Sequence, residues 1–342
     1  MAAHGFDAWW SHEKLAVHGF GWDVLLRYRE IVGIRKQLLQ RLTTEKPALF
    51  IGVDAPDFNL QLEENLRLQG VKTVHFVCPS VWAWRAHRLD AIRRSADHVL
   101  CVFPFEPALL AQHGISATYV GHPLAQVIPK MPDRALARKV LGLAQDDDVV
   151  ALLPGSRKSE IKHLAFRFFE AAARIHALRP NVKFVVPAVP GLQALIEDAA
   201  KRAGMAERVQ IIAGQSHAVL AACDVTLIAS GTATLEAALF KRPMVIAYRM
   251  SALSWRLMRG KRLQPWVGLP NILCEEFVVP EFLQDAATAD ALSQAALEVL
   301  DAKHHRPEKI HALEARFTAL HEALHRDTAT LATQAIEGVL NA

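Results

Sequence analysis

Short apolar runs alternate with amphipathic stretches along most of the chain. The runs, rich in Val, Ile and Phe, predict strands at 48–53, 72–77, 97–102, 117–120, 149–153, 182–187, 208–212, 224–229 and 243–248. The stretches between them predict helices at 60–69, 87–95, 106–113, 159–178, 191–203, 216–222 and 233–240. Because strands that alternate with helices form parallel sheets covered on both faces, the pattern predicts an α/β protein.

A polar segment divides this alternation into two blocks. It runs from Gly121 to about Asp148, contains several prolines, and is interpreted as a linker that carries one helix. After the second block the pattern predicts helices only, at 286–301, 308–325 and 328–340. We therefore expect two Rossmann-like doubly wound domains that face a cleft, at 1–135 and 136–302, followed by helices at 303–342. The first domain is expected to be incomplete, because its opening 30 residues contain no predicted strand.

Composition narrows the class of protein. The 342 residues are 51% hydrophobic and 22% charged, which is a globular composition, and the net charge of +4 argues against a nucleic-acid binder. The four cysteines form no CxxC pair and are interpreted as reduced thiols of a cytosolic protein. No apolar run approaches the roughly 20 residues that cross a bilayer. The residues after Met1 do not resemble a signal peptide.

Two acids follow the first predicted strand, in the segment FIGVDAPDFN at 50–59. Asp and Pro are common turn residues, so loop chemistry explains Asp54, Pro56 and Asp57 equally well. The alternative is a catalytic base, because residues at the carboxyl ends of parallel strands point into the ligand cleft. We expect Asp54 to be the base and Asp57 to hold the loop by accepting hydrogen bonds from nearby backbone N–H groups.

Two strand-to-helix turns in the second block are candidate anion sites. In LLPGSRKSEI, Gly155 and Ser156 precede a helix start, and Arg157 can add a bidentate contact to phosphate. An ordinary turn with a surface arginine is the alternative. In ASGTATLE at 229–236, Ser230 and the three residues after it offer donors to a second anion. Glu236, expected on the first helical turn, either binds ribose hydroxyls or complements the helix dipole.

Three further patterns carry less weight. WRLMRGKRLQPW at 255–266 is either a solvated basic loop or a surface that attracts phosphates or anionic lipid, and GLPNILC at 268–274 is interpreted as a turn. His321 to His325 matches the zinc-protease pattern HExxH but has no downstream third ligand, so we interpret it as a surface helix. No GxSxG elbow is present, which argues against a serine hydrolase.

These stretches together resemble the lipid-A-disaccharide synthase family. The resemblance rests on GVDAPDFN (52–59), HFVCPSVWAWR (75–85), FPFE (103–106), GHP (121–123), LLPGSRKSEI (152–161), ASGTATLE (229–236) and LPNIL (269–273). It extends from Met1 to the C-terminus and implies a GT-B fold. It also implies inverting transfer of 2,3-diacylglucosamine from UDP-2,3-diacylglucosamine to 2,3-diacylglucosamine 1-phosphate (lipid X), which forms a β-1,6-linked disaccharide 1-phosphate and UDP.

The resemblance implies roles for single residues. Asp54 takes the position of the base, Arg157 that of the diphosphate contact, and Glu236 that of the ribose contact. Ser230, Gly231, Thr232 and Ala233 match phosphate contacts, and Asn271 matches a further site position. Because UDP leaves as an anion, its charge can be stabilised by Arg157 and the helix N-termini, so no metal or cofactor is expected.

The resemblance further implies a place in the cell. Leu15-Ala16-Val17, Trp22 and Val24-Leu25-Leu26 match an apolar surface associated with membrane contact and acyl chains, although core packing explains them as well. We expect a cytoplasmic protein bound peripherally to the cytoplasmic face of the inner membrane. The helices at 303–342 match segments that cross back to the first domain or pair with a second subunit, so a homodimer is a candidate assembly.

One departure from the family stands at the start of the chain. Family members carry a few tens of residues before the point that matches Met1, with a first strand and a glycine-bearing turn. The start codon is misassigned, the chain is truncated, or the gene has lost this segment. Because the missing strand leaves a buried sheet position empty and backbone groups unpaired, we expect this chain to be poorly stable or inactive as written. The alternatives are another GT-B enzyme acting on a UDP-sugar, such as an epimerase, and a nucleotide- or lipid-binding remnant without turnover. Peripheral membrane binding is compatible with each of these.

Overall fold

The computed structural model describes residues 9–10, 22–83, 88–252, 255–256, 260 and 263–342, and of residues 22–28 the backbone alone. The strands are β1 (Leu49–Val53), β2 (Lys72–Phe76), β3 (His98–Cys101), β4 (Ala117–Tyr119), β5 (Val149–Leu153), β6 (Lys183–Ala188), β7 (Val209–Ala213), β8 (Val225–Ala229), β9 (Met244–Tyr248) and β10 (Glu281–Leu283). Nine of these ten strands are the predicted ones.

Helices surround the strands. They are α1 (Trp22–Glu45), α2 (Pro56–Arg67), α3 (Arg88–Ser95), α4 (Glu106–Ala111), α5 (Pro123–Val127), α6 (Arg134–Val140), α7 (Lys158–Leu178), α8 (Gln193–Arg202), α9 (Ser216–Ala222), α10 (Thr232–Leu239), α11 (Leu269–Cys274), α12 (Ala289–His305), α13 (Pro307–Leu324) and α14 (Thr328–Asn341). Short 3₁₀ turns lie at Ala206–Arg208 and Gln284–Ala286.

The first four strands form a parallel sheet in the order β1-β2-β3-β4. Helix α2 covers one face, where Phe50 of β1 packs with Leu62 and Leu66. Among the described strands, only β2 pairs with β1, which therefore lies at the edge of the sheet. Ile51 and Val53 of β1 are 41% and 58% exposed, which is unusual for a parallel sheet because such sheets are normally covered on both faces.

The other six strands form a second parallel sheet in the order β10-β9-β8-β5-β6-β7. Every residue of the central strands β5 and β8 is buried, which explains their continuous apolar sequences VVALL and VTLIA. Helices α7, α8 and α12 pack on one face around Phe168 and Phe169. The fold is thus α/β with two doubly wound parallel sheets, as predicted. The edge strand β10 was not predicted, because three residues are too short to show a pattern.

Three segments differ from the sequence-based predictions. The linker contains two helices, α5 and α6, where one was predicted. The segment at 268–274 was predicted as a turn but forms helix α11, in which Pro270 occupies the first turn, where a missing N–H costs nothing. Helix α1 was not predicted, since its charged residues interrupt the apolar positions.

The last helix returns to the first sheet. Apolar residues of α14, among them Leu331 and Ile336, pack against Val74, Leu100 and Val120 on the face opposite α2. Helix α13 reaches the same region, where the Tyr119 hydroxyl donates to the carbonyl of Ala323 at 2.6 Å. These contacts join the C-terminal helices to the first sheet, while the domain bounds at 135 and 302 stay a prediction.

Some sequence-based expectations concern residues outside those described. They are the apolar surface at Leu15-Ala16-Val17, the side chains of Trp22 and Val24-Leu25-Leu26, the end of the PSVWAWR string at Trp84 and Arg85, and Arg259, Lys261 and Arg262 of the basic cluster. Among the described helices, none is both long enough and apolar enough to span a bilayer.

Candidate active site

A cavity of about 690 Å³ opens where the carboxyl ends of the two sheets face each other. The first sheet contributes Asp54 and Trp82 to its wall, and the second contributes Arg157, Thr232 and Tyr248. The cavity therefore brings together the predicted base, the predicted phosphate-binding arginine and one residue of the second anion turn. Carboxyl ends of parallel strands are where α/β folds place their ligands.

Asp54 is held at the cavity in an unusual backbone conformation. Its φ is +50° and that of Ala55 is +43°, in the left-handed region that residues other than glycine rarely adopt. The Asp54 N–H donates to the carbonyl of Phe76 at 2.8 Å. The Asn59 side-chain amide donates to the carbonyls of Asp54 and Val53, at 2.8 and 3.2 Å. Strain that the surroundings hold in place in this way is characteristic of functional positions.

Asp57 is not among the residues that line the cavity. Its carboxylate pairs with Arg88, whose guanidinium lines the cavity, and 82% of the Asp57 side chain is exposed. Asn59 holds the loop through the carbonyl of Asp54, and the predicted hydrogen bonds from loop N–H groups to Asp57 stay a prediction. Of the two acids, Asp54 is the one that lines the cavity.

The first predicted anion site is occupied by a carboxylate of the chain itself. Glu160 accepts hydrogen bonds from the backbone N–H groups of Ser156 and Arg157, at 2.9 and 3.2 Å, and from Arg157 Nη1 at 3.0 Å. Gly155 has a φ of +121°, and a Cβ there would lie 2.4 Å from Glu160 Cβ. This glycine is needed for the approach of Glu160, and phosphate binding at the turn stays a prediction.

The second predicted anion turn is split between two environments. Thr232 lies exposed at the cavity wall and begins α10, with exposed Gly231 as its N-cap. The Ser230 hydroxyl donates instead to the carbonyl of Val267 at 2.9 Å, and Ala233 packs against the core. Of these four residues, Thr232 is the one that the structure places in the cavity wall.

Glu236 lies on the second turn of α10 rather than the first, because the helix begins at Thr232. Its carboxylate is 3.4 Å from Nε2 of His217 on α9. Burial raises the pKa of Glu236, and His217 opposes that shift. Glu236 is not among the residues that line the cavity, so its predicted ribose contact would lie beside the cavity, next to His217.

Asn271 is fully buried on α11. Its amide donates to the carbonyl of Val279 at 2.9 Å and to Glu281 at 2.8 Å, and its oxygen accepts from the Val279 N–H at 3.0 Å. Glu281 also accepts from the backbone N–H groups of Val267 and Gly268. Asn271 therefore holds the turn at 267–269 beside the cavity, and a direct ligand contact by Asn271 stays a prediction.

The sequence motifs PSVW and FPFE build one wall of the cavity. Glu106 accepts hydrogen bonds from Trp82 Nε1 at 3.0 Å and from the backbone N–H groups of Val102 and Phe103. Burial raises the pKa of Glu106 to about 7, against the effect of these donors. Trp82 meets Phe103 edge to face, with ring centroids 6.0 Å apart. Glu106 thus fixes an aromatic surface suited to an apolar or sugar ligand.

Within the described residues, one group could present metal ligands: Cys78, Cys101 and Glu106, whose ligand atoms lie within 4.8 Å of one another. Both Glu106 oxygens already accept hydrogen bonds, and the neighbouring Cys78 and burial raise the pKa of Cys101. A thiol with a raised pKa is a poor metal ligand. The group therefore fits a packed wall better than a metal site.

The HExxH pattern is explained by packing. His321 is buried on α13, its Nε2 donates to the carbonyl of Ala125 at 2.8 Å, and its Nδ1 lies 2.6 Å from Lys241 Nζ. Both ring nitrogens are therefore engaged, and His325 is exposed. The pattern thus lies on a helix, as predicted, but His321 is buried against the core and not on the surface as expected.

Comparison with known proteins settles the family. The family model for lipid-A-disaccharide synthetase matches residues 1–336. The chain belongs to this family. It is 69% identical over 340 residues to the lipid-A-disaccharide synthase of Albidiferax ferrireducens and 67% identical to that of Verminephrobacter eiseniae, covering 99% of this chain and 87% of each relative. It is therefore a glycosyltransferase of lipid A biosynthesis that uses a UDP-sugar donor and a lipid acceptor.

Solved structures confirm the fold. The Staphylococcus aureus MnaA–UDP complex matches 92% of this chain and 82% of its own, with a TM-score of 0.64 and 14% identity. The UDP-GlcNAc 2-epimerase of Neisseria meningitidis, bound to UDP-GlcNAc, matches 91% of this chain and 81% of its own, with a TM-score of 0.61 and 12% identity. WaaG, a glycosyltransferase involved in lipopolysaccharide biosynthesis, matches 82% of this chain and 83% of its own, with a TM-score of 0.50 and 15% identity.

Several residues of the site were not predicted from the sequence. Glu160, His122, Arg88 and Tyr248 contact or line the cavity region without having been assigned a role. His122 and Glu160 lie within the quoted motifs, which is the signal that could have singled them out. Arg88 and Tyr248 lie outside those motifs, and only the fold brings them to the cavity.

Proposed function

We propose that the cavity transfers 2,3-diacylglucosamine from UDP-2,3-diacylglucosamine to the 6-hydroxyl of lipid X, which forms the β-1,6 lipid A disaccharide 1-phosphate and UDP. The observation that carries this proposal is the single cavity lined by Asp54 from one sheet and by Arg157 and Thr232 from the other. The carboxylate on one side suits a nucleophilic hydroxyl. The guanidinium and the helix N-terminus on the other side suit an anionic leaving group.

In this proposal Asp54 accepts the proton of the acceptor's 6-hydroxyl as its oxygen bonds to the anomeric carbon of the donor. The bond between that carbon and the UDP oxygen breaks on the opposite face, which inverts the configuration. The leaving diphosphate is stabilised by Arg157 and by the N-terminus of α10 at Thr232. Glu236 beside His217 would contact the ribose. No proton donor is required, because UDP leaves as an anion.

The apolar wall supports a lipid-bearing substrate. Trp82 and Phe103 present their rings at the cavity, and Glu106 behind them fixes the indole. Peripheral binding at the cytoplasmic face of the inner membrane and assembly as a homodimer belong to the same proposal, and they rest on the family resemblance.

The test compares Asp54→Asn with Asp57→Asn, its matched control on the same loop. UDP release that depends on lipid X measures turnover, and calorimetry measures UDP binding. We expect Asp54→Asn to lower turnover by about 10²–10⁴-fold, the usual contribution of a general base, while UDP binding and stability are kept. Asp57→Asn should keep most of the activity, because Asp57 is not among the residues that line the cavity, and only its partner Arg88 is.

Two results would contradict the proposal. Normal turnover of Asp54→Asn would remove Asp54 from the mechanism, and a loss confined to Asp57→Asn would move the base to that residue. A wild-type chain that binds UDP yet releases none from the donor in the presence of lipid X would reduce the function to nucleotide binding.

A further inference from the structure

His122 lines the same cavity as Asp54 and Arg157, and the reaction described above gives it no role. It lies in the GHP segment, between β4 and α5, on the side of the cavity formed by the first sheet. A histidine at a cleft is either a buried structural group or a group that meets the substrate. The hydrogen bonds of its two ring nitrogens distinguish these roles.

The ring of His122 is fixed by its neighbours. Its Nδ1 accepts a hydrogen bond from the Leu124 N–H at 3.2 Å, which makes His122 the N-cap of α5. Its centroid lies 5.6 Å from that of Phe103. The His122 backbone N–H donates to the carbonyl of Leu324, at the end of α13, at 3.0 Å. Cap, ring contact and backbone bond together define the direction of the imidazole.

This geometry decides the tautomer. Since the Nδ1 lone pair is engaged as an acceptor, the neutral ring carries its proton on Nε2. Burial lowers the pKa of His122 to about 4, so the ring is neutral near pH 7. Among the described residues, Nε2 has no hydrogen-bond partner. A fixed, neutral N–H donor without a protein acceptor is thus available at the cavity wall.

We propose that His122 donates its Nε2–H to an oxygen of the bound substrate, as a neutral hydrogen-bond donor and not as a second base. The ring cannot take up the acceptor's proton, because Nε2 already carries hydrogen and Nδ1 is engaged by Leu124. The sugar hydroxyls of the acceptor and the diphosphate of the donor both present suitable oxygens. The inference rests on the proposed function, since it requires one of these substrates in this cavity.

Three substitutions separate the cap from the donor. His122→Asn keeps an acceptor for the Leu124 N–H, because asparagine is a good N-cap, but places no N–H at the position of Nε2. His122→Gln places an amide near Nε2 and gives up the cap geometry, and His122→Ala loses both. We expect His122→Asn to keep the melting temperature and lose about 10- to 100-fold in kcat/KM. His122→Gln should recover part of the activity that His122→Ala loses.

Separate kinetic constants identify the substrate. A change in kcat or in the KM for lipid X, with unchanged UDP affinity, assigns the contact to the acceptor. Weaker UDP binding assigns it to the donor, and either result supports the proposal. Wild-type kcat/KM in His122→Asn would overturn it and leave His122 as a helix cap only.

A measurement without turnover distinguishes failure of this inference from failure of the proposed function. The Nε2–H resonance of His122, assigned in the ¹⁵N-histidine-labelled full chain by comparison with His122→Asn, is followed on addition of UDP and of lipid X. A shift and slower hydrogen exchange on saturation with either ligand supports the proposal, even if the wild-type chain transfers no sugar. A resonance unchanged by both ligands at saturation overturns it.

Discussion

Glu160 accepts a hydrogen bond from the backbone N–H of Ser156 at 2.9 Å and so takes the anion position at the start of α7. Its other carboxylate oxygen lies 3.0 Å from Arg157 Nη1. The N–H groups and the guanidinium that a diphosphate would use are thus already bonded to a carboxylate. If the leaving group of the reaction binds at this turn, Glu160 competes with it.

The first prediction follows from this competition. Glu160→Gln removes the negative charge, so we expect UDP to bind about 2- to 5-fold more tightly, which corresponds to the 0.3–1 kcal/mol typical of a charge near a helix N-terminus. Calorimetric titration with UDP measures the change. Glu170→Gln, which removes the same charge from the same helix away from its N-terminus, is the control and should not alter affinity. Weaker UDP binding by Glu160→Gln, at unchanged stability, would show that Glu160 organises the turn instead.

A second prediction concerns the contact between Gly121 and the loop between α13 and α14. Gly121 has a φ of +86°, and a Cβ there would lie 2.5 Å from Arg326 Cβ and 3.0 Å from the carbonyl oxygen of Leu324. Gly121→Ala must therefore displace the neighbouring His122 or the end of α13. We expect a loss of about 2–4 kcal/mol in the free energy of unfolding and a lower kcat.

The control for Gly121→Ala is Gly114→Ala. Gly114 has a φ of +66°, and apart from Gly114 and its two chain neighbours no atom of the described residues lies within 4 Å of the position that an added methyl group would take. This variant therefore carries the backbone strain of about 1 kcal/mol without the collision. Denaturant unfolding and steady-state turnover measure both variants. Equal effects of the two substitutions would show that the contact with Arg326 is not tight.

The strands were predictable because parallel sheets bury both faces. The runs at 149–153 and 225–229 are continuous and apolar because β5 and β8 lie at the centre of their sheet. Strand β10 escaped prediction because three half-buried residues at an edge carry no such pattern. Helix α11 escaped because Pro270 suggests a turn, although proline is favourable in the first turn of a helix.

The site was less predictable, because its geometry depends on contacts between distant residues. The sequence predicted that Asp54 faces the cleft, but not its positive φ, which depends on Asn59 and on the neighbouring strand. It predicted an anion site near Arg157, but not that Glu160 would fill it. Histidine is an uncommon N-cap, so the role of His122 at the start of α5 appears only in the structure.

A third prediction concerns pH. Burial raises the pKa of Glu106 to about 7 in the folded chain, above its ordinary value of 4.5. Between these values the folded state binds more protons than the unfolded state, so this group makes stability fall as pH rises from about 4.5 to 7. In Glu106→Gln this contribution is absent. We expect the difference in unfolding free energy between wild type and variant to shrink by about 1–3 kcal/mol from pH 5 to pH 8.

Urea unfolding of both proteins at pH 5 and pH 8 gives this difference, and other titrating groups cancel because the two chains share them. We also expect Glu106→Gln to be less stable than wild type at both pH values, because the amide NH₂ cannot accept hydrogen bonds from Trp82 or the backbone. A difference that is the same at both pH values would place the pKa of Glu106 near its ordinary range.

The last prediction separates packing from metal binding in the HExxH pattern. His321→Ala leaves the Ala125 carbonyl without its donor and the buried Lys241 ammonium with the Leu239 carbonyl as its remaining acceptor among the described residues, so we expect a loss of about 2–4 kcal/mol in the free energy of unfolding. His325→Ala removes the other histidine of the pattern, which is exposed, and should change stability by less than about 0.5 kcal/mol.

Both variants and the wild type are unfolded in denaturant with and without EDTA. A metal held by the pattern would make the two substitutions equally costly and would make wild-type stability sensitive to EDTA. Burial of His321 alone predicts unequal costs and no response to the chelator.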